Sequence, residues 1–540
     1  MFSIYFSRAA FRIPALALKR GLILVVWGCA LSVLRANAQD TSPETGVISV
    51  SAGKDQIELT VRSGGMELQI VDLAIPASLR DVENAHVVGE VAPAAQSHVV
   101  VPRFEHERDR LYDGFVARGK EGKAVGALRR VEEMRGIAKN TEPIPKAASI
   151  KGLQVQMVDD AIALGVKHAA LNVDLAALID PVGQADSFSW TMDGRTFHFR
   201  RGPMTGHDRQ IKELSDAGIQ VTLILLNYKK ADPALSAIVK PATAGGGSSS
   251  PIWGFNVSDP EGCAWYRATL EFLADRYAGG SSDQGRVVGY IIGNEVDSHD
   301  SWYDVGPVSL DELVENYERA LRFADLAVHK AAQYARVYIS LDRQWTEAIS
   351  RDPKKAVPAR VLLDALAKRA RAEGDFDWNV AFHPYPKDLR DPRTWRDHLP
   401  SDPNAVFISP QNIEVLPAYL KKPELLYRGQ PRHIILSEQG FNTRDGEDGE
   451  KQQAAGFCYT WVKLSHVSGI DAFILHRHVD HAKEGGLRLG LWTFRPGTMS
   501  TPDRKKPIYE VFRACDTGGW REAFAPYLSE IGTASWDEVR

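Results

Sequence analysis

Gln220-Val221-Thr222-Leu223-Ile224-Leu225-Leu226-Asn227 is a β-type apolar run with almost no polar alternation. That is the pattern of a strand covered on both faces. The helical period of 207–217 precedes it. The same unit recurs from Ala148 onward, where apolar runs alternate with helical periods, the signature of parallel βα units. The runs fall at 149–153, 167–173, 220–227, 287–293, 335–341, 380–385, 433–437 and 470–475. Helical periods lie between them at 157–164, 207–217, 260–277, 310–332 and 452–465. Eight βα units within 148–515 predict an α/β chain whose core is a (β/α)8 TIM barrel with insertions. An open doubly wound sheet would carry a Gly-rich phosphate loop after its first strand, and none stands there. Two insertions, 180–204 with Trp190, Phe197 and Phe199, and 228–258 with a Gly/Ser run at 245–250, are expected on the face where barrel active sites form.

Upstream the pattern differs. Ile57, Leu59 and Val61 alternate with polar residues, and Met66, Leu68 and Ile70 do so again after Ser63-Gly64-Gly65. Such half-buried strands need a partner sheet, so 46–117 is read as a small N-terminal β-sandwich. Residues 118–147, charged, Gly-rich and ending in Pro143-Ile144-Pro145, read as a connecting segment, and 516–540 as a C-terminal tail.

The first 38 residues read as an export signal. Arg8, Arg12, Lys19 and Arg20 precede the apolar run 21–34, and Ala36-Asn37-Ala38 offers small residues for cleavage after Ala38. The apolar run is shorter than the ~20 residues a membrane span needs. The expectation is a secreted or periplasmic protein with no membrane attachment once the signal is removed. The alternatives are an uncleaved anchor or lipidation of Cys29, whose flanking Trp27 fits that poorly. Cys263, Cys458 and Cys515 lack both a disulfide framework and metal-site spacing, and read as small buried residues. A net charge of -4 from well-mixed acids and bases excludes a basic nucleic-acid surface. Oligomeric state is not legible.

Polar residues at the C-terminal ends of barrel strands are the place to look for catalysis. The fourth run ends in Ile291-Ile292-Gly293-Asn294-Glu295 and the seventh in Ile435-Leu436-Ser437-Glu438-Gln439-Gly440. Glycoside hydrolysis needs two carboxyls flanking the scissile bond, one protonated and one ionised. A strand-end Glu alone is as readily a helix cap or half of a salt bridge. Two of them, three strands apart, can face each other across a barrel mouth.

With these residues the stretch 150–515 resembles the clan A glycoside hydrolases, the group that includes many cellulases, mannanases and β-galactosidases. The resemblance implies a retaining double displacement with Glu295 as acid/base and Glu438 as nucleophile, and no cofactor or metal. It implies that Asn294 binds the sugar 2-hydroxyl, and that His383 or Tyr385, in Phe382-His383-Pro384-Tyr385, orients the nucleophile. Lys506-Pro507-Ile508-Tyr509 is similar to the start of the closing helix. The chain departs from the clan at the eighth strand, where a Trp often stacks under the sugar. Here the sequence is Leu475-His476-Arg477-His478, leaving Trp492, or His476 and His478, as substitutes.

The expected substrate contacts are therefore Asn294, His383, Tyr385, Asn172, His476, His478, Trp302, Trp345 and Trp492, with a carbohydrate as the partner. Asp342 closes the fifth run on the same face. Arg477 and Arg488 suit either a sugar carboxylate or sulfate, or ordinary salt bridges. Arg504-Lys505-Lys506 reads as a solvated turn. Two other functions stand beside the glycosidase. One is a metal-dependent barrel hydrolase using the His476-x-His478 pair, with Asp342, His383 or Asp297 completing the ligand set. The other is a non-catalytic carbohydrate-binding surface protein.

Overall fold

The computed structural model describes residues 45–540 apart from Gly246, Ser281 and Ser282. The expected signal segment and Cys29 lie outside the described residues. No helix among the described residues is long and apolar enough to cross a membrane.

Eight parallel strands close into a barrel in sequence order: Lys151–Gln154, His168–Asp174, Gln220–Leu226, Val287–Ile292, Arg336–Asp342, Trp378–His383, Ile434–Gln439 and Ala472–Leu475. They are called barrel strands 1 to 8 below. Strand 8 pairs with strand 1 through Ile474 opposite Gly152, which completes the ring. Each strand begins and ends within two residues of its predicted run. Helices such as Arg201–Asp216, Pro260–Arg276, Leu310–Ala331 and Gly449–Leu464 form the outer layer.

Strand alternation divides the barrel into an inner and an outer core. Ala170, Ile224, Ile291, Tyr338, Ala381 and Ile435 belong to one buried cluster inside the ring. Their chain neighbours Leu171, Leu225, Ile292, Ile339, Phe382 and Leu436 belong to another, packed under the helices. Successive side chains point to opposite faces. The inward set therefore continues past the apolar layer to Asn172 on strand 2, Ser340 and Asp342 on strand 5, and His383 at the end of strand 6. This parity delivers polar side chains to the mouth.

Before the barrel come two four-stranded sheets. In one, Gly46–Ala52 lies between Gln56–Arg62 and Glu133–Met134, with Ser97–Pro102 outermost. The other runs in the order His86–Val91, Leu68–Leu73, Gly114–Arg118, Ala124–Arg130. The expected connecting segment is thus corrected. Two of its stretches are strands, because Val125 to Arg130 can still pair with Gly114 to Ala117 after the tight turn at Gly119–Gly122. The sheets dock on the flank of the barrel. Tyr112 donates to Glu271 Oε1 at 2.6 Å, Lys330 reaches the same oxygen at 2.8 Å, and Arg130 pairs with Glu373 at 2.9 Å. The last stretch, 516–540, is likewise more than a tail: Phe524 and Trp536 are buried, edge-to-face at 5.7 Å.

Of the two insertions, 180–204 folds as the hairpin Phe188–Met192 and Arg195–Phe199. It leans on an outer helix, with Phe199 stacked on Phe272 at 4.4 Å and Phe197 edge-on to Trp265 at 4.9 Å. Its aromatic residues therefore serve packing. Lys506, expected in a solvated turn, is buried. Its ammonium bonds Asp480 at 2.9 Å and Thr443 at 3.0 Å, tying together the loops after strands 7 and 8.

Candidate active site

Glu295 and Glu438 meet over the mouth of the barrel. Glu295, His383 and Glu438 each present a side-chain atom within 4.8 Å of the other two. The two carboxyls reach this point by different backbone devices.

Glu295 stands just past strand 4 in the left-handed region, at φ 39° and ψ 58°. That conformation is uncommon for a non-glycine residue and persists only where the surroundings fix it. Here its N–H donates to Ser340 Oγ at 3.0 Å. Gly293, two residues earlier, has φ 80°, and a Cβ there would sit 2.8 Å from the Tyr303 ring. Glu438 lies within strand 7, where register shifts against strand 8. Leu436 pairs with Phe473, yet Gln439 pairs with Leu475. One extra residue is accommodated between them, a β-bulge, which re-aims the local side chains. Ile435 points inward and Leu436 outward, so unbroken alternation would send Glu438 outward with Leu436.

The two carboxyls have different partners. Glu295 Oε1 lies 2.9 Å from His383 Nδ1, and His383 Nε2 faces Ser340 Oγ at 3.4 Å. Glu438 Oε1 accepts from the Tyr385 hydroxyl at 2.9 Å, and its Oε2 from Gln154 Nε2 at 3.2 Å. Gln154 Oε1 in turn meets His476 Nδ1 at 2.6 Å, and His476 Nε2 meets Glu484 Oε1 at 3.1 Å. Arg477 donates to the other Glu484 oxygen at 2.6 Å. Asp342, paired across the ladder with His383, accepts from the Arg343 backbone at 2.6 Å and its guanidinium at 3.2 Å.

These environments separate the carboxyls electrostatically. Burial, the charge of Asp342 and that of Glu438 push Glu295 up to about 7, against the opposing pull of His383. Burial acts upward on Glu438 as well. The neighbouring His476 and His383 and the Tyr385 hydrogen bond outweigh it and hold Glu438 below the usual carboxylate range. His383 is raised above the ordinary imidazole range, because Glu438, Glu295 and Asp342 together overcome its burial. Two nearby carboxyls driven apart in this way can act as an acid and a base at one pH.

Other expected contacts fall differently. Asn294 is half-buried beside Glu295, Asn172 is exposed at the mouth, and Trp302 is 40% exposed seven residues past Glu295. Trp345 is not at the mouth. It is fully buried, edge-on to Tyr419 at 4.9 Å and Phe382 at 6.3 Å. Phe382 is an outward residue of strand 6, so Trp345 belongs to the packing outside the ring. His478 is also committed elsewhere. Its Nε2 lies 2.8 Å from Asp160 Oδ2, and its Nδ1 faces the N–H groups of Gln156 and Met157. Trp492 gives its indole N–H to the same Asp160 oxygen at 2.9 Å, and Lys505 lies over its ring at 5.1 Å. The expectation that His476 and His478 share a face fails because strand 8 ends at Leu475. The two rings turn to different partners and hold no common ligand position among the described residues. Arg488 forms an ordinary ion pair with Asp445 at 2.7 Å.

Sequence reading missed Gln154 and Glu484. Gln154 was findable, since it ends strand 1 on the inward parity set by Gly152. Glu484 sits in an irregular loop with no local signal.

The family model described as "Family of unknown function (DUF5722)" matches residues 143–539. None of the curated proteins matches the chain. Among solved structures, the chain is similar to a glucosidase from Croceicoccus marinus, at 14% identity and TM-score 0.43, covering 70% of this chain and 69% of that one. It is similar to a family 39 glycoside hydrolase from Bacteroides cellulosilyticus WH2, at 11% identity and TM-score 0.44, covering 88% and 80%. A third is a β-glucosidase from Pyrococcus furiosus, at 13% identity and TM-score 0.44, covering 69% and 86%.

Proposed function

The chain belongs to the DUF5722 family, and we propose that it is a retaining glycoside hydrolase in which Glu295 is the acid/base and Glu438 the nucleophile. The observation that carries this reading is the close approach of the two carboxyls, with ligand atoms within 4.8 Å of each other. Retaining enzymes hold their carboxyl groups ~5–5.5 Å apart, whereas inverting enzymes need roughly 6.5–9.5 Å to admit a water. The division of partners supports the same assignment. Tyr385 and Gln154 donate to Glu438, as an ionised nucleophile requires. Glu295 is kept protonated near neutral pH by burial and by Asp342. It then gives its proton to the leaving oxygen and, as a carboxylate, later draws one from the attacking water.

His383 is proposed to steer Glu295, and Tyr385 to orient Glu438. Asn294 is proposed to meet the sugar 2-hydroxyl. The two N-terminal sheets are read as a sandwich module that stiffens the barrel's flank and supplies no catalytic group. Export through the N-terminal signal, with cleavage after Ala38, belongs to the same reading. The test is Glu438→Ala with an aryl glycoside substrate. Turnover is lost, and added azide restores a product of inverted configuration. An azide product of retained configuration, or activity undiminished without azide, excludes Glu438 as nucleophile. Activity insensitive to a chelator separates this reading from a metal-dependent hydrolase.

A further inference from the structure

A recess of about 340 Å³ opens beside Glu438, lined by Gln154, Gln156, Asn172, Gln210, Arg477 and His481, among others. Its volume falls within the ~300–1,000 Å³ typical of small-molecule sites. Gln154 joins it to the candidate active site, since the same side chain donates to Glu438. The recess follows strands 8, 1 and 2. Glu295 and its partners Ser340, Asp342 and His383 come from strands 4, 5 and 6, on the opposite arc of an eight-stranded ring. A leaving group must sit where the acid reaches its oxygen. The recess therefore lies on the side of the sugar that the nucleophile retains.

Its chemistry is polar without an unmatched charge. Arg477 is neutralised by Glu484 at 2.6 Å, and His478, also in the lining, is bonded to Asp160 at 2.8 Å. His481 is pushed below the ordinary imidazole range by burial and by Arg477, so it is neutral at neutral pH. Gln156 gives its amide to the Ser500 carbonyl and keeps its oxygen as an acceptor. The side chains of Asn172 and Gln210 have no hydrogen-bond partner among the described residues. Amides offer a donor and an acceptor from one group, which matches the paired hydroxyls of a sugar ring. An acidic sugar would find no free cation here.

Building on the proposed hydrolase, we propose that this recess is a second glycone subsite, which takes an uncharged sugar ring next to the one being cleaved. The enzyme then acts on oligosaccharide chains and is a poor exo-acting monoglycosidase. Binding energy from the remote ring is available to the transition state, so it raises kcat/KM.

Matched 4-nitrophenyl mono- and diglycosides of glucose, mannose, galactose and xylose test this with the full-length protein. For the sugar that is accepted, kcat/KM for the diglycoside exceeds that for the monoglycoside at least tenfold. Asn172→Ala and Gln210→Ala each cut this ratio about threefold to tenfold, the effect of one lost hydrogen bond. A diglycoside ending in a uronic acid is turned over more slowly than its neutral counterpart. A wild-type ratio near one, ratios unchanged in both variants, or preference for the acidic diglycoside overturns the proposal. If no aryl glycoside reacts, calorimetric titration of Glu438→Ala with the free mono- and disaccharides decides. Disaccharide binding at least tenfold tighter supports the subsite, while equal binding or none overturns it. Activity of Glu438→Ala on the aryl glycosides would instead sink the catalytic assignment and leave the ratio readout intact.

Discussion

The Tyr385 hydroxyl donates to Glu438 Oε1 over 2.9 Å. His383, two residues earlier in the same turn, is bonded to Glu295 instead. One short segment at the end of strand 6 thus serves both carboxyls, and each side chain hydrogen-bonds only one. This division yields the first prediction. Tyr385→Phe removes a hydrogen bond to an ionised group, worth ~1.5–3 kcal/mol. The expected loss in kcat/KM is roughly tenfold to a hundredfold. Because the bond favours the ionised form, its loss raises the pKa of Glu438. The acidic limb of the pH–rate profile moves to higher pH. An unmoved limb would mean that Tyr385 acts on substrate alone.

Asp342 governs the other limb. Its charge, held by Arg343, helps to raise Glu295 to about 7. Asp342→Asn removes that charge while keeping the shape. Glu295 then loses its proton at lower pH, and the alkaline limb of kcat/KM moves down. The shift appears with substrates whose departure needs a proton. It vanishes with 2,4-dinitrophenyl glycosides, whose leaving group needs none. A shift of the same size for both substrates would place the effect elsewhere than on Glu295.

Glu295→Ala should discriminate between leaving groups in the same sense. Activity on the natural glycosidic bond falls by about 10²–10⁴, the usual worth of general acid–base catalysis. The first step with a 2,4-dinitrophenyl glycoside is largely spared, so a burst of phenolate appears. Azide then accelerates turnover and gives a product of retained configuration. Rapid-mixing absorbance and product NMR record both, and a variant slowed equally on all substrates speaks against the role.

The buried positions of Lys506 and Trp345 make a stability prediction. Lys506 is packed against Asp480, and removing one partner of a buried pair costs ~3–5 kcal/mol. Lys506→Ala should lower the unfolding free energy by that order, seen as an earlier midpoint in urea. Trp345→Ala should cost about 3–5 kcal/mol through the cavity it leaves. A Trp345→Phe variant should retain its KM, as suits a side chain that never meets substrate.

The same two residues mark how far the chain could be read from its sequence. The barrel was legible because Val, Ile and Leu runs recur at strand length, and a run of that length and composition fits little else than a strand covered on both faces. That Glu295 and Glu438 meet was legible because both stand at the C-terminal ends of barrel runs, which converge on one mouth. Trp345 was misplaced because distance along a loop says nothing about direction once the chain leaves the strand. His476 and His478 were paired on the assumption that strand 8 continues, and it stops one residue short of them. Strand 124–130 was hidden because Gly126, Arg129 and Arg130 break the apolar alternation, and 133–134 because its pairing partners, Ser51 and Ala52, lie far away in sequence. Glu484 was invisible for the same physical reason: only the fold brings its loop to His476.

The bulge in strand 7 bears on how such an activity is gained and lost in evolution. Glu438 faces Glu295 because this strand carries one residue more than its neighbour requires. Removal of the single codon for Gln439 would restore a regular ladder, leave the apolar layers below untouched and leave the carboxylate on the outward parity of Leu436, away from the mouth. The resulting barrel would keep its apolar layers and lose the facing pair of carboxyls. Among descendants of such a chain, the length of this strand is a sharper mark of a working enzyme than the presence of its glutamate.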